Sequence, residues 1–113
     1  MPANVATSTI TWTGASGRKY KYWIQPIGSK MKDEPGNYMF IKKVAANRFK
    51  AIYVGETDSL DDRLSNPENH HKRPCTKRQA ATHLCTHTTP GGKKARQAEE
   101  QDLIRALKPP CND

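Results

Sequence analysis

No stretch of this 113-residue sequence approaches the roughly 20 consecutive apolar residues that a membrane helix needs, so its basic charge is not the flank of a membrane anchor. Its first residues, Met1-Pro2-Ala3-Asn4-Val5, hold neither a charged n-region nor an apolar h-region, which argues against an export signal. Cysteine is scarce and odd in number, with Cys75, Cys85 and Cys111, and this fits reduced thiols in a cytoplasmic setting better than a disulfide framework. Only 35% of the residues are hydrophobic, so a chain of this length builds one compact domain around one modest core. The largest gap is in acid: no Asp or Glu occurs between Glu68 and Glu99, while Lys72, Arg73, Lys77, Arg78, Lys93, Lys94 and Arg96 all do. With a formal net charge of +8, that stretch reads as the footprint of a polyanion, nucleic acid first, against the alternative of a solvated face.

What is present divides into short elements. Strand formers at Thr9 to Thr13 and Tyr20 to Ile24 flank the turn cluster Gly14-Ala15-Ser16-Gly17 and predict a β-hairpin. Its aromatics Trp12, Tyr20, Tyr22 and Trp23 read first as core or cross-strand packing, with base stacking as the alternative. Pro26 to Pro35 is a connecting loop. Gly36 to Val44 and Phe49 to Val54 are apolar runs joined near Asn47, and they predict an antiparallel pair. Strict alternation groups Tyr38 with Phe40 and Tyr53 with Ala51, and pairing of the outer ends brings the two phenols close. Gly55 then supplies a tight turn into a helix, with Asp58 as its N-cap, while Gly36 marks the start of the first run. A turn-rich loop follows at 65–71, then a short basic helix within Pro74 to Ala81, an alternating strand at 81–88, and a helix from Lys93 to Leu107 stopped by Pro109-Pro110.

Two charged residues stand out from these elements. Leu60 and Leu64 share the inward face of their helix, and Arg63 flanks that face instead of opposing it. On the last helix, Leu103, Ile104 and Leu107 form a narrow apolar stripe with Glu100 almost at its centre and Glu99 about a quarter-turn away. An inward carboxylate needs a partner, whether a cation, a metal ion or donor hydrogen bonds, and a salt bridge to Arg96 or Arg63 is the structural alternative. One carboxylate suffices for a magnesium-type ion, which keeps most of its waters and completes its shell with phosphate oxygens. Glu100, Arg63, two tyrosines and a basic surface are together the parts of metal-assisted phosphodiester hydrolysis.

In this arrangement the sequence resembles the GIY-YIG nucleases. Gly36-Asn37-Tyr38 resembles the first motif of that family and Tyr53-Val54-Gly55 the second; Leu60 with Arg63, Glu100 before Leu103-Ile104, and Pro109-Pro110-Cys111-Asn112 follow in the family's order. The resemblance spans residues 36 to 112 and implies an α+β fold: a small antiparallel sheet of three core strands, plus the N-terminal hairpin, flanked by helices. It divides the chain into an N-terminal extension at 1–35 and a nuclease core at 36–113. It further implies one cleft formed by Tyr38, Tyr53, Arg63, Glu100 and Asn112, with Mg²⁺ or Mn²⁺ on Glu100, Arg63 at the scissile phosphate, and a tyrosine beside the attacking water. DNA, branched and damaged forms included, is the implied substrate.

The sequence departs from the pattern in two places: Asn37 replaces an aliphatic residue, and Pro67 stands where a His or Tyr is common, leaving His70 and His71 as candidates for proton transfer. The N-terminal hairpin either widens the sheet or makes a homodimer contact. Two other readings are a non-catalytic nucleic-acid-binding module on the same scaffold and a zinc site drawn from His83, Cys85, His87, Cys75, His70 and His71, whose spacing fits no common zinc knuckle.

Overall fold

In the computed structural model, which describes residues 8–112, strand β1 (Thr9–Thr13) and β2 (Lys19–Pro26) form the N-terminal hairpin. Strands β3 (Gly36–Ala45) and β4 (Arg48–Thr57) form the second hairpin, reversed at Asn47, which takes a left-handed φ of 60°. Helix α1 (Leu60–Leu64), a single 3₁₀ turn at Pro67–Asn69, and helix α2 (Arg73–Arg78) lead to strand β5 (His83–Thr88) and helix α3 (Gly92–Leu107). All five strands join one sheet in the order β1-β2-β5-β3-β4, and every pairing is antiparallel. The N-terminal hairpin therefore widens the sheet, because β2 pairs with β5. No helix among the described residues is long and apolar enough to cross a membrane.

Alternation along the strands splits the core in two. Tyr38, Phe40 and Leu84 face the layer made by Met31, Leu60 and Leu64, while Met39, Ile41, Cys85 and Trp12 face Leu103 of α3. Each of the fully buried side chains is worth about 1.5–3 kcal/mol of transfer free energy. The β3–β4 register shifts twice: near the turn Lys43 pairs with Phe49 but Ala45 with Arg48, leaving Val44 extra in β3, and nearer the site Phe40 pairs with Tyr53 but Ile41 with Ala51, so Ile52 is an extra residue in β4. The Ile52 bulge corrects the expected grouping of Tyr53 with Ala51, since Tyr53 joins the Tyr38 side and Ala51 the α3 side.

Two further local expectations are corrected. Gly55 does not make a turn but lies inside β4, while Gly36, also a candidate structural turn, is the first residue of β3. Asp58 does not cap α1, because the Ser59 hydroxyl accepts from the Asp62 N–H at 3.1 Å, and Asp58 binds Arg96 instead.

The reduced-thiol expectation also changes. Cys75 and Cys111 form a disulfide across 36 residues, and Cys85 is buried and free. An odd count excludes complete pairing but not one bridge. The bridge ties α2 to the C-terminal tail, and closing a loop of that length stabilises by about 3–4 kcal/mol in the chain-entropy model. A Cys75→Ser, Cys111→Ser double variant is therefore expected to unfold at markedly lower urea than the oxidised wild type; coincident urea curves would show that the bridge contributes nothing.

Candidate active site

Tyr38 and Tyr53 come from neighbouring strands, and their rings lie on one face with centroids 6.1 Å apart at 44°. Gly55, the partner of Tyr38 in the β3–β4 register, makes this possible: a Cβ there would fall 2.5 Å from Tyr38 Cζ and Oη. Its role is to admit the phenol ring, not to turn the chain.

The loop after α1 returns the histidines to the phenols. His70 is buried, and its Nε2 lies 2.6 Å from Tyr38 Oη. Its Nδ1 accepts the Lys72 backbone N–H at 3.0 Å, so the ring proton belongs on Nε2, and His70 donates to the tyrosine oxygen. Burial, reinforced by His71, Arg63, Arg73 and Lys72, pushes His70 down to about 4, so it is neutral at pH 7. His71 stacks on it with centroids 4.7 Å apart and meets Tyr53 edge-on at 6.0 Å. His71 is also lowered, by desolvation first and then by Arg63 and Lys72.

Arg63 and Glu100 act on both phenols. Burial raises Tyr38 and Tyr53 above the ordinary phenol value, the Glu100 charge raises them further, and the Arg63 guanidinium opposes it. Glu100 extends from α3, which packs against β4, the sheet's edge strand. It is half-buried and held above the usual carboxylate range, by burial first and by the Glu56 carboxylate second. Among the described residues no side chain donates to it or ion-pairs with it. A half-buried carboxylate beside a second acid and without a donor fits a hard cation, which would relieve both its desolvation and the repulsion from Glu56. No group of three or more His, Cys, Asp or Glu among the described residues is placed to hold a metal, and Cys75 is in the disulfide, so the zinc residues are not gathered.

The remaining predicted residues are placed differently. Asn112 forms a two-way amide pair with Val54, accepting its N–H and donating to its carbonyl, both at 2.8 Å; it fixes β4 next to Tyr53. Arg96 is not part of an exposed basic surface: it is 4% exposed and binds Glu56 at 2.9 Å and Asp58 at 2.5 Å. Arg73 binds Glu68 and lies over Phe40, Lys77 binds the same Glu68, and Lys72 sits half-buried beside them. Arg78, Lys93 and Lys94 are exposed.

Two buried residues escaped the sequence reading. Glu99 is more buried than Glu100, and its Oε2 accepts from Tyr22 at 2.7 Å and pairs with His87 Nε2 at 2.5 Å. Asn37, the unusual residue of the first motif, donates to the Arg96 carbonyl at 3.0 Å and accepts from Thr89 at 2.7 Å. Helical-wheel position separates the two glutamates poorly, because the stripe is narrow and the added β2 strand supplies a partner for Glu99. The polar residue inside an apolar strand was the available signal for Asn37.

The depressed His70 has a measurable consequence. Between pH 6.5 and about 4 the unfolded chain binds a proton at this position that the folded chain refuses, so stability is full above pH 6.5 and is lost as pH falls towards 4. From pH 7.5 to 5, wild type is expected to lose on the order of 2 kcal/mol more unfolding free energy than His70→Gln. Equal losses in urea titrations of the two proteins would show that His70 titrates normally.

No family model and no curated protein matches the sequence. Among solved structures, the fold matches the crystal structure of the GIY-YIG N-terminal endonuclease domain of UvrC from Thermotoga maritima, a point mutant bound to its catalytic divalent cation. The TM-score is 0.58 and the identity 27%, covering 73% of this chain and 86% of that one. With both motif strands paired side by side, β4 at the edge of a matching antiparallel sheet, the chain carries a GIY-YIG domain.

Proposed function

We propose that this chain is an endonuclease that hydrolyses DNA phosphodiester bonds with a single divalent metal, Mg²⁺ or Mn²⁺, at Tyr38, Tyr53, Arg63 and Glu100. The observation that carries this reading is Glu100, a half-buried carboxylate without a protein donor among the described residues that shares its surroundings with a guanidinium and two phenols. The endonuclease domain with the same fold, described as bound to its catalytic divalent cation, supports it.

Glu100 would hold the metal, which when bound supplies positive charge at the phosphate and lowers the pKa of a coordinated water. Arg63 is the cation of the cluster and offsets charge gathering on the non-bridging phosphate oxygens. Tyr38 is the better placed of the two phenols to take the proton of an attacking water. If its oxygen becomes anionic, the His70 Nε2–H already donates to it and Arg63 lies close enough to lower its pKa. A phenol is protonated at pH 7 even when exposed, and burial raises Tyr38 further, so the base form arises only with that compensation and after the phenol proton has passed to solvent. Tyr53 and His71 line the same approach and orient the substrate. The deciding experiment is nicking of supercoiled plasmid, wild type beside Glu100→Gln, with metal and with chelator.

A further inference from the structure

The hairpin outside the motif match presents one face that no element covers among the described residues. On the side opposite α3, the cross-strand pairs Thr9 with Trp23, Thr11 with Lys21, and Thr13 with Lys19 are all exposed. Trp23 is 46% exposed, whereas Trp12 is 7% exposed and faces the other way, into the α3 core. Beside Trp23 a recess of about 400 Å³ opens between the sheet and the loop after β2, lined by Gln25, Lys30, Met31, Lys32 and Thr86. Gln25 accepts from the Thr86 hydroxyl at 3.2 Å, and its amide nitrogen has no protein partner among the described residues. The cross-strand pairs contain no acid, and the carboxylate of nearby Asp33 is engaged by the Ser59 hydroxyl at 2.6 Å.

This face continues the catalytic one. Gly55, Tyr38, Thr86, Trp23 and Thr9 are successive Cα partners across five strands, so they share one side of the sheet. Tyr38 and Trp23 are two strands apart, about 10 Å of sheet width. Met31 and Leu60 belong both to the wall of the recess and to the core cluster around Tyr38.

We propose that this platform binds an unpaired stretch of the DNA substrate, with a base stacked on Trp23 and the strand's phosphates running along Lys19, Lys21, Lys30 and Lys32. An exposed indole between lysines suits a nucleobase followed by phosphate, and only an unpaired base presents its flat face to it. The choice of polyanion rests on the endonuclease reading, and the inference adds the substrate form: DNA with a single-stranded segment next to the cut.

Binding in chelator isolates this site from cleavage. An oligothymidylate of about ten nucleotides is expected to quench the tryptophan emission of the wild type, since Trp12 is shielded, and to bind Trp23→Ala roughly 5- to 150-fold more weakly, with Trp23→Phe recovering much of the loss. Lys21→Ala is expected to lower the salt slope of binding by about one. Undiminished binding to Trp23→Ala, or no quench on binding, would overturn the proposal. So would a wild type that sediments as a dimer while Trp23→Ala sediments as a monomer, which would make this face a contact between copies. Wild type that shows the quench but nicks no plasmid in metal would support the platform while removing the catalytic reading.

Discussion

Glu100→Gln is expected to lower metal-dependent nicking of supercoiled DNA by on the order of 10³-fold, about 4 kcal/mol of transition-state stabilisation. Glutamine keeps the size and the half-buried position of Glu100 but removes the charge that would hold a divalent ion. The same substitution is expected to leave folding intact or to strengthen it. Burial and Glu56 already disfavour the ionised carboxylate, and a neutral amide removes that penalty. Urea unfolding and the nicking assay on one preparation separate the two effects. A variant that loses nicking and keeps or gains stability shows that the charge is retained for function. Full nicking by Glu100→Gln would remove Glu100 from the site, and equal loss of stability and activity would make it a folding residue. DNA binding in chelator should survive, because Lys19, Lys21 and the exposed lysines of α3 are untouched.

Gly55→Ala is the second large effect, and it acts through geometry alone. The new Cβ would sit 2.5 Å from Tyr38 Cζ and Oη, closer than real Cβ atoms come to a neighbour. Tyr38 is fully buried and hydrogen-bonded to His70 at its tip, so the ring cannot yield without releasing that contact. The expected cost is about 1–3 kcal/mol of stability, in the range for overpacking. A loss of nicking on the order of 10²-fold is expected with it, because a displaced phenol no longer meets water and phosphate in register. Urea curves and initial nicking rates check both. An alanine variant with wild-type midpoint and rate would mean that the ring moves freely and that the phenol has no positional role.

Periodicity and turn chemistry carried much of the architecture. Leu60 with Leu64, and Leu103 with Ile104 and Leu107, marked α1 and α3; the runs on either side of Asn47 marked the β3–β4 hairpin. What local pattern could not carry was set by long-range pairing. The Ile52 bulge appears only once β3 and β4 are in register, and it decides which side Tyr53 takes. Gly55 looked like a turn because glycine usually marks one, whereas the reason for it lies in the ring of Tyr38, 17 positions away in the sequence. The disulfide likewise joins segments that nothing local relates. At the site, helix geometry marked Glu100 and Arg63, but the buried glutamate of α3 is Glu99, Glu100 is half-buried and Arg63 is exposed. His70 was one of two candidates in its loop, and its contact with Tyr38 follows from the return of that loop; the burial of Glu99 and Arg96 follows from the partners that other strands and loops bring to them.

The two-way amide pair of Asn112 also bears on the open edge of the sheet. The outermost strand of any sheet offers a free ladder that a passing chain can adopt, and β4 holds that place next to the most chemically useful side chains of the fold. A single side chain occupies the rung at Val54, and the Cys111 N–H takes the Ile52 carbonyl at 3.0 Å, so residues 111 and 112 already fill part of that ladder. A strand arriving at this edge would first have to displace both residues, so the rungs beside Tyr53 are closed to edge-to-edge pairing.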